Sequence, residues 1–92
     1  PEMTEEAGAL LSAEAKKHLL KLATNLSGAR WEKESLNRII QKFLEDHRLK
    51  MRDVGLPLRA AITGTKQSPS IVDIMAALGE QETLARLRAA CK

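Results

Sequence analysis

The chain has 92 residues, 43% of them hydrophobic and 29% charged, with a formal net charge of +3. That length supports one core burying roughly 60–65% of the unfolded surface, and the composition is that of a globular protein rather than a disordered tail. No apolar run approaches the roughly 20 residues that cross a bilayer, so no membrane association is expected.

The start shows no basic stretch leading into an apolar one, and no secretory signal is expected. The first residue is Pro1 rather than methionine, which leads us to expect a piece excised from a larger protein. Cys91 is the only cysteine, so no internal disulfide can form, and a reducing, cytoplasmic setting is the matching expectation.

In chain order, Leu11, Ala15, Leu19, Leu22 and Leu26 recur at helical spacing, predicting an amphipathic helix over residues 4–26 that ends near Gly28. Leu36, Ile40 and Phe43, widened by Ile39 and Leu44, predict a second over residues 31–47, with Trp31 packed at its start. Residues 47–56 read as a connector between two layers of one bundle. Pro57 suits a first helical turn and Gly64 a position just past a helix end, so residues 57–63 are expected to form about two turns.

Ser68 before Pro69 has the form of an N-cap ahead of a first-turn proline. Ile71, Ile74, Met75 and Leu78 follow at helical spacing, and Gly79 closes that run. Glu80 and Glu82 suit the start of a last helix in which Leu84, Leu87 and Cys91 face inward, with Arg86, Arg88 and Lys92 near its negative end. No segment alternates as a strand would. The expected fold is all-α: a compact bundle of about five helices, two longer amphipathic ones followed by three short ones, forming one unit over residues 1–92.

Catalytic chemistry finds no purchase. No serine or cysteine has a base at motif spacing, and no glycine-rich phosphate loop occurs beyond Gly64-Thr65-Lys66, which is too short to count. His18 and His47 are far apart in the chain, Cys91 stands alone, and no metal-ligand spacing occurs. Both histidines read as surface or satisfied core positions before ligands. Trp31 could offer a stacking face to a base, but core packing ranks first.

Charge is distributed unevenly. Residues 1–49 carry eight basic and eight acidic side chains, and residues 50–92 carry seven and four. Lys50, Arg52, Arg59 and Lys66 are opposed nearby only by Asp53, a modest footprint for a polyanion that equally fits an ordinary solvated basic face. A helix opening beside Arg59 and Lys66 offers free N–H groups to phosphates or base edges, arginine can stack on a splayed base, and Ile71 could pack on its face. On these grounds alone an ordinary interhelical turn ranks first.

The ordered series Trp31-x-x-Glu34-x-Leu36, Lys50, Val54-Gly55-Leu56-Pro57-Leu58-Arg59-Ala60-Ala61-Ile62-Thr63-Gly64, Ser68-Pro69, Leu78-Gly79 and Leu84-Ala85-Arg86-Leu87 closely resembles the carboxy-terminal part of bacterial glutamyl-tRNA synthetases. It covers about residues 31–90, while residues 1–30 match only as a helix of the right kind. The resemblance implies the distal part of an all-helical anticodon-binding region whose partner is the anticodon loop of glutamate tRNA. It places a base-contacting arginine on Arg59 and further RNA contacts on Thr65, Lys66, Gln67, Ser68, Pro69 and Ile71.

Ser70 stands where many relatives have glycine, and its side chain narrows the approach of a base. The family's ATP-binding signatures are absent, which implies a segment that binds RNA without charging it and needs no cofactor itself; the helical bundle is expected to be a monomer. The whole enzyme is implied to use ATP and magnesium. The alternative function is a small helical protein-interaction domain with a basic face.

Overall fold

The computed structural model describes residues 8–64 and 70–91 of the chain. Within them lie five helices: α1 (Ala13–Leu26), α2 (Lys33–Asp46), α3 (Met51–Thr63), α4 (Ile71–Leu78) and α5 (Glu80–Ala90). No strand occurs among the described residues, as the helical periodicity requires.

α1 begins later than its apolar spacing predicts. A turn in which the Leu11 N–H donates to Gly8 O at 3.1 Å precedes it. Ser12 then takes an extended conformation, and its hydroxyl accepts the Ala15 N–H at 3.1 Å. The periodicity extends through Leu11, but a local hydroxyl that satisfies a free helix amide sets the boundary. At the far end Gly28, with φ +82°, turns the chain as expected.

α2 ends without a glycine. Arg48 takes the left-handed conformation at φ +54°, the Leu49 N–H reaches back to Leu44 O at 2.8 Å, and the Arg48 N–H to Glu45 O at 3.2 Å. This pair of bonds satisfies the last carbonyls of α2 and redirects the chain at once into α3.

The largest departure from expectation is α3, which starts at Met51 rather than Pro57 and absorbs most of the expected connector. Asp53 explains the early start: its Oδ2 accepts the Lys50 N–H at 2.8 Å, while its own N–H donates to Lys50 O at 2.9 Å. Pro57 therefore lies inside the helix, where it removes one backbone bond, a cost of about 3 kcal/mol in a helix interior. Burial of Val54, Leu58 and Ile62 on one face of α3 offsets that loss.

Gly64 ends α3 at φ +79°, with its N–H on Ala60 O at 2.9 Å. The expected cap at Ser68-Pro69 lies outside the described residues. α4 itself opens at Ile71, following Ser70, and Gly79 (φ +87°) separates it from α5.

α1 packs against α2, α3 and α5, while α4 closes over α2 and α5. One core cluster joins Leu19, Leu22 and Leu26 of α1 to Leu36, Ile40 and Phe43 of α2, Leu58 and Ile62 of α3, Met75 of α4 and Leu87 of α5. Trp31 is only half-buried, at the edge of this core, and its indole Nε1 donates to Met75 O at 2.7 Å, tying it to α4.

Candidate nucleic-acid interface

The last two turns of α3 and the first turn of α4 define the edge to which the sequence points. Arg59 is partly exposed on α3. Its side chain folds back over Gly55, one turn earlier: a Cβ built on Gly55 would lie 3.0 Å from Arg59 Nη1 and 3.3 Å from Met51 Cε. The bare backbone at Gly55 thus provides the space in which the guanidinium rests. Among the described residues Arg59 makes no ion pair, since Asp53 is held in the start of α3 and Asp73 is bound to Lys33.

The helix end beneath Arg59 is fixed from two sides. Thr63 Oγ1 donates to Arg59 O at 2.7 Å, and Arg86 Nη1 of α5 donates to Ile62 O at 2.8 Å. Arg86 is aimed by its own helix, with Nε on Glu82 Oε1 at 2.9 Å. It was expected near the negative end of α5, but it instead meets the carbonyl end of α3, where a cation is equally favourable.

Across the hinge, Ser70 is exposed and Ile71 is 2% exposed within the core. The Ile71 side chain is therefore occupied by core packing, and the described part of the site at this end of α4 is its backbone amides. Ile74 N–H closes the first helical bond onto Ser70 O at 3.3 Å, which leaves the amides of Ile71, Val72 and Asp73 without an intrahelical acceptor. Lys33 at the start of α2 reaches Asp73 Oδ1 at 2.6 Å, and that hydrogen bond and charge hold the ammonium pKa above its usual value. The expected site residues Thr65, Lys66, Gln67, Ser68 and Pro69 lie outside the described residues.

Spacing alone did not single out Gly55, Lys33 or Arg86. A glycine one turn before an exposed arginine was the available signal for the first. Arg86 stood in the family series without a role, and Lys33, which acts across the fold, left no signal.

Elsewhere, His18 and His47 are not distant in space: their ring centroids are 6.4 Å apart, and Phe43 lies 4.3 Å from His47 and 6.5 Å from His18. Packing of α1 on α2 brings them together. Among the described residues no three His, Cys, Asp or Glu side chains come close enough to hold a metal ion. No helix among them is long and apolar enough to cross a membrane.

The comparisons with known proteins name the class to which this all-helical fold belongs. The family described as anticodon binding domain matches residues 1–91, and the chain belongs to it. Its relatives are glutamate–tRNA ligases. That of Azorhizobium caulinodans is 37% identical over 86 residues, covering 94% of this chain and 18% of the ligase. Glutamate–tRNA ligase 2 of Ruegeria pomeroyi is 41% identical over 84 residues, covering 91% of this chain and 18% of the ligase.

A crystal structure of a glutamate tRNA ligase from Elizabethkingia meningosepticum, in complex with its amino acid, superposes with a TM-score of 0.92 at 26% identity, covering 98% of this chain and 18% of that one. The chain thus spans 18% of the length of these relatives. The resemblance carried by the Pro57-Leu58-Arg59 and Ser68-Pro69 motifs and their neighbours is to the family that the comparisons return.

Proposed function

We propose that this chain is the part of a glutamate–tRNA ligase that reads anticodon bases of glutamate tRNA, binding as a monomer and performing no catalysis by itself. Activation of glutamate with ATP and magnesium, in the cytoplasm, is the corresponding proposal for the whole ligase. The observation that carries the reading is Arg59: partly exposed, its guanidinium lying over the Gly55 backbone, and making no ion pair among the described residues. A guanidinium so placed can stack on an unpaired base and present its planar fork to the base edge. Thr65, Lys66, Gln67, Ser68 and Pro69 supply the hinge contacts, and Ile71 contributes through its backbone amide. Lys66 attracts the phosphate backbone without selecting a base.

The test is a titration of the chain with an RNA stem-loop carrying the glutamate anticodon and with one altered at its first two anticodon bases. Resonances of Arg59, Gly64, Ser70 and Ile71 should shift with the first RNA. Arg59→Lys should keep the helical spectrum but reduce discrimination between the two by about 1–3 kcal/mol, the range of a bidentate base contact. Equal affinity of the unmodified chain for both RNAs would sink the base-reading proposal and favour the protein-interaction alternative.

A further inference from the structure

We propose that Arg86 of α5 is a positioning residue for anticodon discrimination, acting through the carbonyl end of α3 and touching no RNA. This inference rests on the base-reading function proposed above.

The chain leaves α3 through Ile62, Thr63 and Gly64, so the geometry of that last turn sets both where Arg59 stands and where the hinge begins. The final carbonyls of a helix have no partner within it and fray unless something outside holds them. Here Ile62 O is held by Arg86 Nη1 at 2.8 Å, a bond that spans 24 positions of the chain and ties α3 to α5.

The donor is charged, partly buried at 28% side-chain exposure, and aimed by Glu82 at 2.9 Å. A charge-assisted bond in such a site is stronger than one between neutral groups. Arg59 is three residues before Ile62, and its own carbonyl is already taken by Thr63 Oγ1. The turn bearing the reading arginine is therefore clamped on the side facing α5. Arg88, two residues along and exposed on the same helix, is the natural comparison.

The experiment uses the chain with Arg86→Met, Arg86→Lys and, as a control, Arg88→Met. Each is measured against the matched and altered stem-loops at several salt concentrations, at a temperature where circular dichroism shows the variant fully folded. Arg86→Met should lower the ratio of matched to altered affinity by about tenfold, the loss expected for a bond to a charged group. It should leave the dependence of log affinity on log salt unchanged, since no phosphate contact is removed. Arg86→Lys should recover part of the ratio, and Arg88→Met should leave it intact.

Amide exchange at Gly64, whose N–H is bonded to Ala60 O, should quicken in Arg86→Met and not in Arg88→Met. An unchanged ratio in folded Arg86→Met, or unchanged Gly64 exchange, overturns the inference while leaving base reading by Arg59 standing. A salt slope reduced by about one identifies Arg86 as a direct phosphate ligand and overturns it too. If the unmodified chain does not discriminate, the base-reading function fails first and the positioning role falls with it.

Discussion

Two residues in the left-handed region mark the two ends of the Arg48–Gly64 stretch, and only one is glycine: Gly64 at φ +79° and Arg48 at φ +54°. A side chain in that region crowds the following carbonyl at a cost of roughly 1–2 kcal/mol, which glycine avoids. Arg48→Gly should accordingly stabilise the chain by up to about 1 kcal/mol in urea denaturation, whereas Gly64→Ala should destabilise it by about the same amount. A matching sign for the two substitutions would contradict these backbone assignments.

Lys33 gives a second residue-level expectation. Its folded pKa is raised by the hydrogen bond and charge of Asp73. The pair therefore stabilises the fold fully below the ordinary lysine pKa, and that contribution is lost as pH rises through the higher folded value. Both groups are largely exposed, so the effect is small. Lys33→Met should remove the part of the alkaline loss of stability that Asp73→Asn also removes, as a double-mutant comparison of melts at pH 9 and 11 can show.

At the scale of elements, α3 packs against both α1 and α5, and α1 in turn packs on α2. Phe43 is 1% exposed and packs beside His18 of α1 and His47 beyond its own helix. Emptying a buried aromatic site costs about 3–5 kcal/mol, a large part of the stability of so short a chain. Phe43→Ala should lower the unfolding free energy measured by urea denaturation by an amount of that order, and a variant as stable as the parent would refute the assignment of that face.

α4 is short, and bonds from outside it seat it: Met75 O accepts the Trp31 indole at 2.7 Å and the Thr83 hydroxyl at 3.4 Å, beside the helix's own closing bond from the Gly79 N–H at 3.0 Å. A helix of eight residues has little stability of its own. Its placement is thus set by Trp31, just ahead of α2, and by Thr83 of α5.

For the whole molecule, the proposed RNA binding draws on the positive excess of the second half, and such binding weakens as counterions compete. Affinity for the matched stem-loop should fall linearly in log–log form with salt. Lys66→Ala should weaken matched and altered RNA alike, because a charge that meets phosphate carries no sequence information. Binding indifferent to salt would contradict the electrostatic part of the proposal.

What the sequence determined by itself is what local physics encodes. Apolar residues at helical spacing marked the buried faces at Leu19, Leu22, Leu26, Leu36, Ile40 and Phe43, and glycines marked the turns at 28, 64 and 79. The ordered motifs between Trp31 and Leu87 were enough to point to the family. Asp53 could have signalled the start of α3, but Pro57 carried the stronger local cue for a helix start and concealed the longer helix.

Only the tertiary structure decided that Ile71 belongs to the core, that Trp31 anchors α4, that His18 meets His47, and that Arg86 closes the end of α3. The physical reason is one of range. Capping, propensity and periodicity act over a few turns of one helix, whereas the Arg86–Ile62 and Trp31–Met75 bonds join residues 24 and 44 apart, which meet only when the core has closed.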